Sequence, residues 1–262
     1  MGELKLLARA GDLEVRLACG AREIEAAQAL RYRVFFEEGG AAPDEQSRRV
    51  RRDICRFDEV CDHVVALDRR SGEVVGAYRL LRREVAERRF GFYSAAEFEV
   101  GALIARHPKL NFMELGRSCV AEGYRSKRAL ETLWRGVWAY ALAHRVDVMF
   151  GCASFPGADP GPHAPALAAL ASQCAAEPEW RVSPSARARV VDAPCVAPHD
   201  LREALRALPP LVKGYLRLGA RFGAQAVVDE AFAATDVFVV LRVADIEARY
   251  LQHFAPVAPI AA

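Results

Sequence analysis

The sequence contains no Cys-x-x-Cys pair: its seven cysteines (Cys19, Cys55, Cys61, Cys119, Cys152, Cys174 and Cys195) are odd in number and spread along the chain. Together with the lack of a secretory leader, this excludes a disulfide-stapled extracellular module and predicts free thiols in a reducing cytoplasm. The six histidines (His63, His107, His144, His163, His199 and His253) have no metal-ligand spacing, so no metal is expected. Arg or Asp interrupts every long apolar run, which excludes a membrane-spanning helix and leaves peripheral contact with the anionic inner face of the membrane as the one form of bilayer association. Net charge is scarce too. A balance of +2 over 262 residues does not make a polyanion binder, and no nucleic acid partner is expected. No internal repeat is present.

What the chain does have is core material, with 52% hydrophobic residues, enough for one large domain over residues 1–255 with a frayed tail at 256–262. Its positive charge is local: Arg48, Arg49, Arg51, Arg52 and Arg56 form one basic run, Arg82, Arg83, Arg88 and Arg89 a second, and Arg125, Lys127 and Arg128 a third. Converging, these would suit an acidic partner; apart, they are solvated patches.

Pattern predicts strands at Leu4–Arg9 and Leu13–Ala18, a helix over Arg22–Glu38 ended by Gly39-Gly40, and an exposed, mobile, arginine-rich loop from Ala41 to Arg56. A hairpin follows, His63–Leu67 with Glu73–Leu81. Alternation along its second strand turns Arg79 inward among apolar neighbours. Ser94 is placed to cap a helix over Ala95–Arg106. Next come a strand over Asn111–Val120, an amphipathic helix over Ser126–His144, and a continuous apolar strand over Val146–Phe155 fit for a sheet centre. Helices at Ala166–Ala175, Asp200–Ala207, Pro209–Leu218 and Asp245–His253 alternate with strands at Arg187–Val191, Ala226–Asp229 and Val237–Val243. The alternation gives an α/β class, a mixed sheet with helices on both faces.

The Asn111 strand is the centre of interest, because Glu114, Gly116, Arg117 and Ser118 interrupt an otherwise core-like run. Buried ions must be paired with each other, with a ligand, or with a wet cleft. Residues three apart on a regular strand face opposite ways, so a shared site needs a kink, for which Gly116 is the candidate.

An N-terminal helix carrying Arg31 and Phe35, the acidic positions Asp58 and Asp62, a strand arginine at Arg79 and Glu114-x-x-Arg117 resemble, in that order, the acyl-homoserine-lactone synthases. The helix is not followed by the tryptophan of that family; Gly39, Gly40 and Ala41 stand there. A closer resemblance covers most of the chain. Leu-Arg-Tyr-Arg-Val-Phe (30–35), Phe-Asp-Glu-Val-Cys-Asp-His (57–63), Glu-Leu-Gly-Arg-Ser-Cys-Val (114–120), Leu-Trp-Arg-Gly (133–136), Phe-Gly-Cys-Ala-Ser-Phe-Pro-Gly (150–157) and the stretch from Pro209 to Ala220, followed by Asp229, Phe232 and Asp236, are similar to the bacterial ornithine N-acyltransferases of ornithine-lipid synthesis. The resemblance implies a GNAT-type fold and transfer of a 3-hydroxyacyl chain from acyl carrier protein to the α-amine of an amino acid. Ornithine is favoured, with lysine, glutamine and glycine open. No permanently bound cofactor is implied, since the phosphopantetheine thioester is itself the donor substrate.

Within that reading Glu114 is the candidate base, with an ion pair to Arg117 as its structural alternative. Arg79 and Arg117 suit a substrate carboxylate, unless each pairs with Asp58 or Asp62. Arg31, Phe35, Asp58, Asp62 and Ser118 complete the substrate-side set. Of Asp229 and Asp236, one would hold a side-chain amine if the substrate is ornithine, and turn formation is the alternative for each. At the start of the Ser126 helix, Arg125-Ser126-Lys127-Arg128 lacks the glycines with which coenzyme A enzymes of this fold cradle a pyrophosphate, and its cations suit one phosphate on an acidic carrier. An acid and at least one guanidinium, drawn from separate segments, are expected to meet at the mouth of a gap between two parted strands, where a fatty thioester can lie. A lactone-forming synthase, a coenzyme-A-dependent acetyltransferase and a non-catalytic carrier- or membrane-binding module are the competing readings.

Overall fold

The computed structural model describes residues 6–191 and 201–246. Strands β1 (Leu6–Ala10) and β2 (Leu13–Leu17) form the first hairpin, and α1 (Ala21–Tyr32) follows. The chain continues without a break from α1 into a wider, π-helical turn over Arg33–Glu38. The region from 41 to 56, expected as a mobile loop, is instead ordered. Asp44 accepts a hydrogen bond from the Ser47 amide at 2.7 Å and starts α2 (Glu45–Val50), and Arg51 ends it at φ 51°. Ala41 and Asp53 are both buried. Polarity misleads here because the buried polar group, Asp53, is paid for by arginines from other segments.

Strands β3 (Asp62–Asp68) and β4 (Val74–Arg82) form the expected hairpin, and the one-turn α3 (Arg83–Ala86) follows. Ser94 is not a helix cap. It lies in a 3₁₀ turn, Tyr93–Ala96, ahead of a shorter α4 (Val100–Arg106), because its hydroxyl is engaged by Glu114. Then come β5 (Phe112–Val120), α5 (Lys127–Ala143), β6 (Val148–Pro156), α6 (Ala164–Gln173) and β7 (Arg189–Val191). The Ser126 hydroxyl caps α5 through the Ala129 amide at 3.2 Å, at the expected start of this helix. The last described elements are α7 (Leu201–Ala207), α8 (Pro210–Arg217), β8 (Arg221–Asp229) and β9 (Ala234–Arg242). The helix expected over Asp245–His253 and the tail at 256–262 lie mostly or wholly outside the described residues.

The strands make one nine-stranded sheet in the order β1-β2-β3-β4-β5-β6-β9-β8-β7. All neighbours are antiparallel except β5 and β6. On one face α5 and α8 pack their Trp134, Val137 and Tyr215 on Tyr78, Met113 and Phe155. On the other, α1 lays Ala27 and Leu30 on Val65 and Ala77, while α4 lays Val100 and Leu103 against Phe112 and Phe150. The mixed sheet with helices on both faces is therefore as expected.

The one parallel pair is also where the sheet opens. Strands β5 and β6 match only at Phe112–Val148, Met113–Met149 and Glu114–Phe150. Past Glu114 they part, and β6 stays with β9 as far as Pro156–Ala234. Gly151 sits at the fork: a Cβ there would lie 2.4 Å from the Leu115 carbonyl oxygen. A second irregularity lies on the other edge of β5. Gly116 pairs with Arg79 and Cys119 with Ala77, so Arg117 and Ser118 together oppose Tyr78. The kink is at Arg117, with φ 50°, and not at Gly116. A non-glycine residue held there costs about 1–3 kcal/mol and persists only where its surroundings fix it.

Candidate active site

A cavity of about 300 Å³ occupies the fork, at the small end of the range for ligand sites. It reaches both faces of the sheet. Glu114, Arg117, Cys152, Ser154 and Asp236 line it with Tyr93 and Ser94 on the α1/α4 side. Tyr78, Leu115, Phe155, Leu211 and Tyr215 line it on the α5/α8 side. One wall is polar and the other is apolar with hydroxyls, a division that suits an amino acid on one side and an acyl chain on the other.

Glu114 is 4% exposed. Its carboxylate accepts hydrogen bonds from the Tyr93 amide at 2.8 Å, the Ser94 amide at 2.7 Å and the Ser94 hydroxyl. Burial raises its pKa, against the opposing pull of those three donors and the Arg79 charge, and the net direction is upward. The alternative ion pair with Arg117 is not formed. Arg117 instead bonds Asp53 at 3.1 Å and the Tyr93 hydroxyl at 3.2 Å, with its guanidinium 4.5 Å from the Tyr93 ring centre and 4.0 Å from that of Phe232. This clamp is what holds the strained backbone at Arg117 and keeps its charge at the cavity wall. Burial lowers the Arg117 pKa, but Tyr93 and Asp53 more than reverse it, so the group stays charged.

Arg31 and Arg79 lie behind the wall. Arg31 is 1% exposed and is spent on Asp53 at 2.8 Å and Asp58 at 2.9 Å. Arg79 bonds Asp58 at 3.2 Å and the Cys55 sulfur at 2.8 Å. Asp58 also accepts from Gln28 at 3.2 Å. Burial would raise its pKa, but Arg31 and Arg79 hold it below the ordinary range. Asp62 accepts from the Tyr140 hydroxyl and stands 3.7 Å from Arg82. None of these four residues lines the cavity. For Arg79 the observed partner is thus the Asp58 alternative rather than an open guanidinium for a substrate carboxylate.

Phe35, Ser118, Asp229 and Asp236 do line the cavity. The widened turn after α1 brings Phe35 edge-on to Phe232 at 5.9 Å, so the β8–β9 turn reaches across to α1. Asp229 supports that turn by accepting from the Phe232 amide at 3.0 Å. Asp236, on β9 opposite Ser154, is buried and its Oδ1 has no hydrogen-bond partner. Burial and the Asp229 charge raise its pKa to about 6, with Ser154 opposing. Beside it Glu97 is raised to about 8, by burial first and then by Asp236 and Asp229.

Glu97 is the group that sequence reasoning passed over, together with Asp53, Tyr93, Cys152 and Ser154. Only Cys152 and Ser154 carried a signal, as polar residues alternating along an otherwise apolar strand. Oxygen and sulfur atoms of Glu97, Cys152 and Asp236 lie within 4.8 Å of one another. Burial and the two carboxylates push the Cys152 thiol well above its ordinary pKa. A protonated thiol and a carboxyl pair that still shares a proton make a poor metal donor set at neutral pH.

At the start of α5, Arg125, Ser126, Lys127 and Arg128 are all exposed. Arg125 bonds the Val120 carbonyl at 3.0 Å and also Glu38, whose neighbour Gly39 lines the cavity. The Lys127 side chain is 86% exposed and 3.7 Å from Glu131, and Arg128 packs over the Gly11 turn. Among the described residues no helix is long and apolar enough to cross a membrane.

Residues 30–135 match the Acetyltransferase (GNAT) domain family. The chain is 51% identical over 255 residues to the L-ornithine N(alpha)-acyltransferase of Agrobacterium fabrum, a match spanning 95% of this chain and 87% of that protein. It is 40% identical over 241 residues to the protein of that name from Rhodobacter capsulatus, spanning 87% and 89%. Among solved structures, FeeM, an N-acyl amino acid synthase from uncultured soil microbes, is similar with a TM-score of 0.51 at 14% identity, over 88% of this chain and 91% of that one, a likeness of fold. A GNAT fold forked at β5 and β6, and relatives of this identity along nearly the whole chain, make it an acyltransferase that belongs to the L-ornithine N(alpha)-acyltransferase family.

Proposed function

We propose that the protein transfers a 3-hydroxyacyl chain from the phosphopantetheine of acyl carrier protein to the α-amine of L-ornithine, giving a lyso-ornithine lipid. The observation that carries this reading is the cavity through the fork, polar on one face of the sheet and apolar on the other. A thioester laid in the fork presents its carbonyl carbon at the level of Glu114. The α-amine nitrogen attacks that carbon, the C–S bond breaks, and the pantetheine sulfur leaves. Glu114, directly or through one water, takes the proton lost by nitrogen and returns it to the departing thiolate. Burial suits it to the task by raising its proton affinity, and its three donors fix its orientation. The β5 edge beyond Leu115, which has parted from β6, offers backbone amides to the oxyanion. Arg117 faces the substrate carboxylate.

Donor class rests on the turn before α5. It has no glycine cradle for a pyrophosphate, and exposed Lys127 and Arg128 suit an acidic carrier docking beside the Arg125–Glu38 contact at the cavity rim. The 3-hydroxyl has a match as well. The Tyr78 hydroxyl is buried without a partner of good geometry on the apolar side, near the hydroxyls of Ser118 and Tyr215.

The test is product formation from L-ornithine with 3-hydroxyacyl carrier protein against 3-hydroxyacyl coenzyme A, read by mass spectrometry. Carrier-dependent product is expected; equal rates with coenzyme A would overturn the donor assignment. Glu114→Gln is expected to lower kcat by roughly 10²- to 10⁴-fold. A loss under threefold would remove Glu114 as the base.

A further inference from the structure

Asp236 is 5% exposed, lines the cavity, and keeps one carboxylate oxygen without a partner. An unpartnered buried carboxylate oxygen is costly, and a cation arriving with a substrate relieves the cost. Its surroundings are acidic. Glu97 stands behind it, bonded to the Cys152 thiol at 3.3 Å, and Asp229 comes from β8. Asp236 is also remote from the chemistry. Along β6, Glu114 is level with Phe150 and Asp236 with Ser154, four residues on, or about 13 Å of strand. Cys152 lies midway on the same face and feels both ends. The polar half of the cavity therefore has two acidic poles, one at the fork and one at the β6–β9 ladder. The two nitrogens of ornithine are closer together than this span, so the amino acid serves both poles with one water between its α-amine and Glu114, as the proposed reaction allows, and with its side-chain amine at Asp236.

We infer that Asp236, backed by Glu97, is the receptor for the substrate's side-chain ammonium and sets the preference for a diamino acid. The inference rests on the proposed reaction at the fork and adds the residues that select the acceptor. Asp236 makes the contact. Glu97 is a positioning residue, acting through Asp236.

With the pKa of Asp236 near 6 and that of Glu97 near 8, the two hold about one proton at pH 7, and their net charge of about −1 complements one ammonium. The other groups facing them are Cys152 and Ser154 from β6, Asp229 from β8, Arg117 from β5, and Tyr93 from the 3₁₀ turn. Asp229 disfavours ionisation of Asp236, while Arg117 and Ser154 favour it. Protonation of Asp236 below pH 6 removes the charge that holds the cation, so ornithine affinity should fall as pH drops from 7 to 5.

The experiment compares L-ornithine with L-norvaline, which has the same carbon chain without the side-chain amine, on the full-length protein. The kcat/KM ratio of ornithine to norvaline should drop roughly 10- to 100-fold in Asp236→Asn, the size of a lost charged hydrogen bond. A ratio within twofold of the wild type would overturn the assignment. Glu97→Gln should shift the pH at which ornithine KM rises; an unmoved midpoint would remove Glu97 from the receptor. Calorimetry of the wild-type protein with each amino acid alone provides a readout independent of acyl transfer and of variant folding. Ornithine binding that weakens from pH 7 to 5 while norvaline binding does not would uphold the receptor even if no acyl donor were turned over, a failure then belonging to the proposed reaction. Ornithine and norvaline binding equally would overturn the receptor alone.

Discussion

At the scale of single residues, the site is stabilised by a buried charge network that no short motif spells out. Asp53 Oδ2 takes hydrogen bonds from Arg31 at 2.8 Å and from Arg117 at 3.1 Å, with side-chain exposures of 4%, 1% and 10% respectively. One carboxylate thus bridges two guanidiniums, from α1 and β5, and Asp58 does the same for Arg31 and Arg79, so two carboxylates hold three guanidiniums and the network keeps a net positive charge. Asp53→Asn keeps the shape but strands Arg117, which then has only Tyr93 and Phe232 to hold its strained backbone. Breaking a buried pair costs about 3–5 kcal/mol, a large share of a typical domain's stability. The expected result is an unfolding free energy, read from urea denaturation, lowered by that amount with the slope unchanged, and a cavity less able to hold a carboxylate. A loss below 1 kcal/mol would show that Asp53 is not the anchor. Asp53 was illegible in the sequence because Arg48, Arg49, Arg51 and Arg52 surround it with solvated charge, and its partners lie 22 and 64 positions away. Glu114, Arg117, Phe35, Ser118, Asp229 and Asp236 were legible as candidates because each is a polar or aromatic interruption in a patterned segment, and all six line the cavity.

At the scale of elements, the fork between β5 and β6 is the device that makes a site out of a sheet. Local pattern was enough to find both strands and the helix between them, because two nine-residue segments built mainly of core residues and a seventeen-residue amphipathic helix leave few alternatives. It could not find the fork itself. Strand parting depends on where two segments stop matching, and that register is set by long-range packing. The same limit misplaced the kink: glycine is the natural suspect, yet the bulge sits on Arg117, whose side chain is fixed from three other segments. Gly151 is the residue that permits the fork. A methyl group at this position would lie 2.4 Å from a backbone carbonyl that cannot rotate away. Gly151→Ala should therefore destabilise by about 1–3 kcal/mol, as overpacking does. It should also depress kcat/KM for every acceptor alike, because it shifts Leu115 beside the base. Thermal unfolding with parallel ornithine and norvaline kinetics would check this, and a loss confined to one acceptor would contradict it.

At the scale of the whole molecule, the sheet is a partition. Helices α1 and α4 cover the face with Glu114, Arg117 and Asp236, while α5 and α8 cover the face with Tyr78, Phe155, Leu211 and Tyr215, and the fork is the passage between them. On this geometry the amino acid and the acyl chain approach the reacting carbon from opposite sides, and the groups that select one have no contact with those that select the other. The consequence is additivity. Removing the Tyr78 hydroxyl by Tyr78→Phe takes away a buried donor on the acyl side, so the preference for a 3-hydroxyacyl over a plain acyl donor should narrow by roughly 2- to 10-fold, the net value of a neutral hydrogen bond. The ornithine-to-norvaline ratio should not change. Asp236→Asn should do the reverse, and the double variant should combine both effects within about 0.5 kcal/mol, as independent sites do. Initial rates with the four donor–acceptor pairs across the four proteins measure this directly. A coupling above 1 kcal/mol would mean that the two substrates share one wall, and the sheet could not be the partition described.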